Sequence, residues 1–538
     1  MFAHSVEQRA QWFGPIDTGI HEWLTGSTVK FAKNWYREGP ANLDFLMLEE
    51  PSSVEFPTLD SRKAYLSYPP GTVLPIYLIA KLVNRPPSAT MVMRYNLLNH
   101  FLITLLLATT CYFLLCKLGV TRWFATALSA IPIGLQLNMG APMYWHQNVY
   151  FSDQAVILFF VGIISLEVFR EDIRKTKYGH FCAALFYLIS FYGVLVDWFF
   201  VVVLFVIFLK RCFLLEFGRT AIDWVKGVLV FCLPPIAALG LFSMQFGSPM
   251  QMLNGLSGIA ALRSRQVEIS PEFNMGFNER IWEHLLPYGY GDNASYVLLA
   301  AVVVFVLIGV GLLRARSGQT SPAMQQTWIY LALTLIPCLL HLYTLQNHSW
   351  IHDFSVLKFG IFLSVGPFLL LPAMFLLLGN NWLRSALNLG ENSLIAVNTI
   401  AILALLSGLT IFLLDSNSRA IHFFAFKQPR EYLSMGSLLE AESSYQDIVF
   451  SPHIEIPNAP PIMLSYSMKR VYLSPEVEDL QNQLDRFTRE LGVDNFNVAI
   501  LVDEHLRKRL SKDWQEMLDR AELISSRLHF SIYRYQPY

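Results

Sequence analysis

Residues 96–116 read Asn96-Leu-Leu-Asn99-His100-Phe-Leu-Ile-Thr-Leu-Leu-Leu-Ala-Thr-Thr-Cys111-Tyr-Phe-Leu-Leu-Cys116 and carry no formal charge. The hydrocarbon core of a bilayer is crossed by about 20 apolar residues in a helix, so this stretch predicts a spanning segment. Nine more apolar runs follow it, at roughly 123–139, 154–169, 179–193, 195–209, 226–246, 296–313, 327–346, 355–379 and 394–414. The runs are continuous rather than alternating, and a lipid-facing sheet edge would leave backbone groups unpaired, which excludes strands. The 538-residue chain is 54% hydrophobic and only 15% charged, with a mean hydropathy of +0.39. The charge deficit is uneven. From Asp415 onward 32 of 124 residues are charged, about 26%, whereas the first 414 carry 49, about 12%. The expected fold class is therefore mainly α: a polytopic α-helical membrane protein with a small C-terminal α/β soluble domain. Its parts are an external loop with amphipathic juxtamembrane helices (1–95), a transmembrane helical body (96–414) and an external soluble domain (415–538).

Net charge is −1, so nothing suggests a nucleic-acid polyanion as partner. The six cysteines lie in or beside apolar runs with no C-x-x-C, and read as buried small residues rather than metal or redox groups. Basic residues in the connections set the orientation. One side holds Lys117, Arg122, Arg170, Arg174, Lys175, Lys177, Lys210, Arg211, Arg219, Lys226, Arg314, Arg316 and Arg384, 13 in five connections. The short loops 140–153 and 346–354 on the other side hold none, and the long loop 247–295 holds Arg263, Arg265 and Arg280. The basic side is expected to be cytoplasmic, which puts residues 1–95 and the C-terminal domain outside. A polar segment of that length needs something to carry it across, so a spanning helix upstream of Met1 is expected.

On the external face the polar residues become candidates for function. In Asp17-Thr-Gly-Ile-His21-Glu22-Trp23-Leu24, continuing to Trp35-Tyr36-Arg-Glu-Gly39, the residues Trp23, Leu24, Phe31, Trp35 and Tyr36 share one helical face. That pattern predicts an amphipathic helix on the membrane surface. Ser67-Tyr68-Pro-Pro-Gly71 then starts a second short apolar helix. Loop 140–153 carries Tyr144, His146 and Asp153, Asp197-Trp198 sits at a short external turn, and the segment from Asn347 to Lys358 carries His348, His352, Asp353 and Lys358. Ionisable groups at the membrane are costly and are candidates for a site by default. A structural network bonding the loops to each other is the plainer reading of each acid alone; three acids in separate loops on one side favour a site. Arg263 and Arg265 suit bidentate phosphate binding, although a solvated loop explains them as well. The C-terminal domain alternates strands (447–451, 471–474, 498–502, 530–533) with helices at about 476–491 and 511–526. It lacks a phosphate loop, a nucleophile elbow and metal spacing, which points to an accessory role.

The order of these features resembles the GT-C glycosyltransferases, most of all the protein mannosyltransferase and aminoarabinose-transferase type. The resemblance lies in His21-Glu22-Trp23, Trp35-Tyr-Arg-Glu-Gly39, Tyr68-Pro-Pro-Gly71, Tyr150-Phe-Ser-Asp153 and His348-Ser-Trp-Ile-His-Asp353. It covers residues 15–160 best and extends more loosely through 414. It implies an enzyme that moves a sugar from a polyprenyl-phosphate carrier to an envelope glycan, lipid or protein acceptor at the non-cytoplasmic face. Carried over by motif, Glu22 or Asp17 would act on the acceptor and Asp153 would support it. His21, His146, His348, His352, Asp353, Lys358, Arg263 and Arg265 would bind substrate, with the cations receiving the leaving phosphate. The family often places its first acid right after a first spanning helix; here Ile20 precedes His21-Glu22, so Glu22 and Asp17 both stand. No cofactor is required, with a divalent cation left open. The competing readings are a transporter or flippase for a lipid-linked saccharide, which would favour repeats and mid-membrane charges not seen here, and a non-catalytic subunit of an envelope assembly.

Overall fold

Ser88 opens the first long helix, its Oγ accepting the Met91 N–H at 3.3 Å, the usual way a helix start satisfies one of its free donors. From there the helix Ala89–Lys117 runs 29 residues, about 44 Å at 1.5 Å per residue, and ends at Gly119, whose positive φ suits a residue without Cβ. In this computed structural model the described residues are 1–14, 16, 20–218, 220–264, 276–314, 322–378, 408–420, 422–424, 431–453, 461–492 and 495–536. Apolar helices follow at Arg122–Asn138, Ser152–Val168, Gly179–Val196, Phe199–Phe213, Ala221–Met244, Ala294–Arg314, Pro322–Thr344 and Phe359–Leu378. Nine of the ten expected runs are thus helices that start within seven residues of their expected starts; most of the tenth, 394–414, lies outside the described residues. Five spans among the described residues are long and apolar enough alone to cross a membrane, and seven if each of two bent pairs counts as one.

Before the C-terminal domain, three expectations need correcting. Loop 140–153 is largely a helix, Gly140–Asn148, bent by 112° from the helix that follows it. Loop 247–295 contains the helices Pro249–Arg263 and Phe277–Tyr290, the latter widened at Arg280–Leu285 into a π-helical turn. The helix Glu22–Glu38 does not lie with one face open at a surface: Glu22 and every residue from Leu24 to Trp35 are buried. Its amphipathic pattern is real, but protein rather than water meets the polar face. Lys33 Nζ donates to Glu440 Oε1 and to the Tyr466 carbonyl, both at 3.2 Å, and Asn34 Nδ2 donates to the Leu48 carbonyl at 2.9 Å.

The C-terminal part is a five-stranded sheet, order β2-β1-β3-β5-β4, with β1 Asp447–Ser451, β2 Val471–Leu473, β3 Asn497–Asp503, β4 Glu522–Arg527 and β5 Phe530–Tyr535. β1 pairs in parallel with β2 and β3, and β5 pairs antiparallel with β3 and β4. The helix expected over 511–526 stops at Arg520, and the rest is β4. Trp514 and Leu518 form its buried stripe; the next position of that stripe is Glu522, which cannot continue it. The sheet is fastened to the N-terminal segment by Lys33–Glu440, by an Arg470–Glu50 pair at 3.4 Å, and by the Val54 N–H to the Tyr445 carbonyl.

Two ends of the helical body carry charge. At one, Glu167 is fully buried and takes Arg211 at 2.5 Å and Lys210 at 3.0 Å, while Glu216 takes Lys210 and Arg170. These are the residues of the basic side. Asp153 lies at the other end of the same 17-residue helix from Glu167, about 20 Å away along its axis.

Candidate functional site

The site is built where helix ends and turns meet. Asp153 opens the helix Ser152–Val168, and its carboxylate is ion-paired with Lys358, which ends the 3-10 turn Asp353–Lys358. Both side chains are buried, at 5% and 1% exposure. Opposite charges here stabilise each other through a medium poorer in water than the surface. Within electrostatic reach of the pair stand His348, His352, Arg263 and Asp197. The Arg263 guanidinium lies over the Tyr68 ring at 4.6 Å, and the rings of His348 and His352 are 4.5 Å apart. Tyr290 fixes the turn that carries Lys358, its hydroxyl donating to the Leu357 carbonyl at 2.8 Å.

Burial sets the protonation of the histidines. It pulls His348 down to about 3, with Asp153 the main influence the other way and His352, Arg263 and Lys358 adding smaller amounts to the fall. His352 is lowered for the same first reason. Both are neutral near pH 7, so they offer hydrogen bonds to an anion rather than charge. With Lys358 committed to Asp153, the guanidinium of Arg263 is the remaining full positive charge of this group among the described residues. Burial, then the nearby Asp153, pushes Asp197 up to about 7. Its Oδ1 accepts the Phe199 N–H at 2.6 Å, and its Oδ2 is buried without a partner. Ser152, Ser349 and Ser355, each close in sequence to a member of the group, also bury hydroxyls without partners. Buried polar atoms are nearly always hydrogen-bonded, so unmet ones on the segments that carry the ion pair are available to a polar guest.

Asp197, the single carboxylate between Gly179 and Phe208, is legible in the sequence as one of three acids in separate external loops, but the sequence assigns it no role. Tyr68 is assigned none either. Tyr68-Pro-Pro-Gly71 does more than start a helix, because it docks the turn that carries Asp197. Trp198 Nε1 donates to the Ser67 carbonyl at 2.9 Å and the Tyr192 hydroxyl to the Gly71 carbonyl at 2.6 Å. A Cβ on Gly71 would stand 2.3 Å from the Leu195 carbonyl oxygen, so only glycine fits.

The remaining candidates fall into two further groups. His21 pairs with Asp353, Nε2 to Oδ1 at 2.9 Å and to Oδ2 at 3.0 Å, and Trp23 Nε1 donates to its Nδ1 at 3.3 Å. These contacts assign the ring proton to Nε2 and occupy both nitrogens. His21 holds a left-handed backbone, φ 61°, a strain that a non-glycine residue keeps only where its surroundings impose it. Asp353 also lines an apolar pocket with Trp145, Tyr288, Phe354 and Phe423. His146 lies elsewhere, buried and stacked on His100 at 4.7 Å, beside Arg9. Asp17 and Arg265 lie outside the described residues.

Glu22 is buried in the first turn of its helix, and Asn148 Nδ2 donates to its Oε1 at 2.7 Å. Three and six residues on, the same helix face continues the contact. Thr25 Oγ1 donates to the Asn148 carbonyl at 2.7 Å and accepts the Tyr150 N–H at 2.9 Å, and Thr28 Oγ1 donates to the Tyr150 carbonyl at 2.9 Å. Glu22, Thr25 and Thr28 therefore clamp residues 148–150, the strand of chain that delivers Asp153.

This arrangement, a bundle of apolar helices with a small α/β domain beside it, is the GT-C membrane fold, and the chain is an integral membrane protein. Solved structures show the likeness over nearly the whole length. ArnT from Cupriavidus metallidurans in the apo state is 11% identical, covering 99% of this chain and 97% of its own, with a TM-score of 0.50. The same protein bound to undecaprenyl phosphate gives 10% identity, 99% and 98% coverage and a TM-score of 0.53. The Archaeoglobus fulgidus oligosaccharyltransferase in its apo form gives 10% identity, 94% and 69% coverage and a TM-score of 0.53. No family model and no curated protein matches the chain.

Proposed function

We propose that this protein is a membrane glycosyltransferase that moves a sugar from a polyprenyl-phosphate carrier to an acceptor on the non-cytoplasmic face. The observation that carries the reading is the buried Asp153–Lys358 pair with Arg263, His348 and His352 within electrostatic reach. Supporting it, structures of the same fold are described with undecaprenyl phosphate and with dolichol phosphate bound. A phosphate is a good leaving group, so such a site needs a base for the acceptor and hydrogen-bond donors or cations for the departing charge.

Arg263 receives the phosphate, with His348 and His352 donating from neutral rings. An anion beside Lys358 competes with Asp153 for the ammonium. Donor binding thereby loosens the Asp153 carboxylate, which becomes a better base when the acceptor is to be deprotonated. Asp153 accordingly takes the acceptor's proton, and Glu22 is a positioning residue that acts through Asn148. Sugar and acceptor class, whether glycan, lipid or protein, are set by groups that these residues do not specify, and a divalent cation is not needed for the scheme.

The test is a transfer assay with a polyprenyl-phosphate sugar donor. Asp153→Asn should lower kcat by about 10²–10⁴-fold, the usual worth of a positioned base. Glu22→Gln, which can still bond Asn148, should lose roughly tenfold or less. Arg263→Ala should raise the donor KM more than it lowers kcat. Near-normal transfer by Asp153→Asn with loss in Glu22→Gln would return the base to Glu22. Normal transfer in both would move the base to another residue, whereas no transfer by the parent protein from any such donor would remove the transferase reading and favour a carrier for lipid-linked saccharides.

A further inference from the structure

Away from the membrane, β3, the turn after it and the β4–β5 hairpin bring two imidazoles and a carboxylate together. Asp503 ends β3 and pairs in the ladder with Phe530, and His529 sits in the hairpin turn just before Phe530. His505 follows two residues after Asp503. One ligand atom from each of Asp503, His505 and His529 can be chosen so that all lie within 4.8 Å of one another. We propose that these three residues form a binding site for a divalent transition-metal ion of the zinc type, independent of the transferase site.

The backbone holds the three positions without a metal. The Glu504 N–H donates to the His529 carbonyl at 2.7 Å, and six register pairs join β3 to β5. The carboxylate is oriented as well. Asp503 Oδ1 accepts the His505 N–H at 2.9 Å, which leaves Oδ2 toward His529 Nε2, 3.8 Å away. A hydrogen bond on the second oxygen of a ligating carboxylate is the ordinary support of a metal site. The imidazoles of His505 and His529 stack, with centroids 4.6 Å apart and planes 9° from parallel. Two ligand atoms on one zinc at about 2.0–2.2 Å stand some 3.3 Å apart, so closure asks for a shift of about 1 Å or more. His505 is exposed and can rotate to supply it.

The donor set selects the ion. Two imidazoles with one carboxylate suit Zn²⁺, Co²⁺, Ni²⁺ or Cu²⁺, whereas Ca²⁺ and Mg²⁺ favour oxygen ligands. The neighbouring acid Glu504 is held elsewhere, accepting from the Tyr533 hydroxyl at 2.7 Å and lying 3.5 Å from Arg507. The coordination shell is therefore completed by water, and the bound ion ties the hairpin turn to the end of β3.

The experiment uses the full chain in detergent, without a histidine tag, stripped with a chelator and titrated with Co²⁺ followed by Zn²⁺. The blank is a His505→Ala/His529→Ala variant, which subtracts any binding at the membrane-side histidines. The wild type should bind one more equivalent of Co²⁺ than the blank, with a visible ligand-field band that Zn²⁺ abolishes. Asp503→Asn, which keeps the acceptor for the His505 N–H, should weaken that binding by tenfold or more. His505→Ala alone alters an exposed side chain and should abolish the band while circular dichroism is unchanged. Equal Co²⁺ binding by the wild type and the blank overturns the proposal.

Discussion

Replacing Lys358 by methionine isolates the energy of the central ion pair. The side chain keeps most of its length and loses its charge, which leaves the Asp153 carboxylate buried at 5% exposure with its counter-ion gone. Breaking one partner of a buried pair costs about 3–5 kcal/mol, whereas replacing both by apolar or neutral groups is often near neutral. Asp153→Asn/Lys358→Met should therefore recover most of what Lys358→Met loses. At about 2.1 cal/mol/K per residue, a 538-residue chain shifts its melting midpoint by about 1 °C per kcal/mol, so the single variant should melt about 3–5 °C lower and the double variant within about 1 °C of the parent. The assay is thermal unfolding of the purified protein in detergent, with the two single variants and the double variant forming a cycle. Transfer activity should be lost in all three. If Lys358→Met melts with the parent, or the double variant is as unstable as Lys358→Met, the two groups are not coupled in the folded protein, and the mechanism that has phosphate release Asp153 from Lys358 fails with them.

Asp197 gives a pH prediction. Burial raises it to about 7 from about 3.9 in an unfolded chain. The stability it contributes is fully present below about pH 3.9 and is lost as pH rises through 7. Asp197→Asn keeps an acceptor for the Phe199 N–H and should be more stable than the parent by a margin that grows from pH 5 to pH 8; a margin independent of pH would show that Asp197 is ionised throughout. His348 has the opposite sign: pulled down to about 3, it contributes stability above about pH 6.5 that is lost as pH falls toward 3. His348→Asn should flatten that acid limb, and an unchanged limb would mean that the ring is charged in the folded protein. For sidedness, cysteines at exposed Lys63 and Glu522, in a cysteine-free background, should react with an impermeant thiol reagent from outside intact cells, and one at Lys175 should not. Reaction at Lys175 alone would invert the orientation.

The spans were legible because a bilayer asks for one simple thing, uninterrupted apolar length, and ladder-satisfied helices are the only answer these runs allow. Asp153, His348, His352 and Lys358 were legible as a group for the reason that makes them expensive, charge at the end of an apolar run. Three features were not. The helix Glu22–Glu38 has the pattern of a surface helix, and periodicity cannot tell whether water or protein meets its polar face; Lys33 and Asn34 find Glu440 and Leu48 only once the chain has folded. The pairing of Asp153 with Lys358 joins residues 205 apart in sequence, and no spacing rule reaches that far. Glu22 was singled out as an acid beside a histidine, and its partner Asn148 is 126 residues away. The sequence marked which residues could carry chemistry, and tertiary contacts decided which carboxylate meets the cations.

That division also bears on the choice between transferase and transporter. A transporter needs its charged site between two halves that rock, near mid-membrane. Here every member of the group is at the end of an element: Asp153 at a helix start, Asp197 in the turn between two helices, Arg263 at a helix end, His348, His352 and Lys358 in the short turns before the helix Phe359–Leu378. The far end of the Asp153 helix is tied down by Glu167 to Arg211 and Lys210. Asp153 is approached from the other side by the Glu22–Thr25–Thr28 clamp on residues 148–150. A carboxylate held from both ends is suited to a reaction that demands fixed geometry within a fraction of an ångström and poorly suited to an alternating gate. Loosening the clamp with Thr25→Val and Thr28→Val should therefore lower kcat while leaving the donor KM nearly constant, because the phosphate contacts sit on other elements. A rise in KM at constant kcat would show instead that the clamp shapes the donor site and that Asp153 does not depend on it.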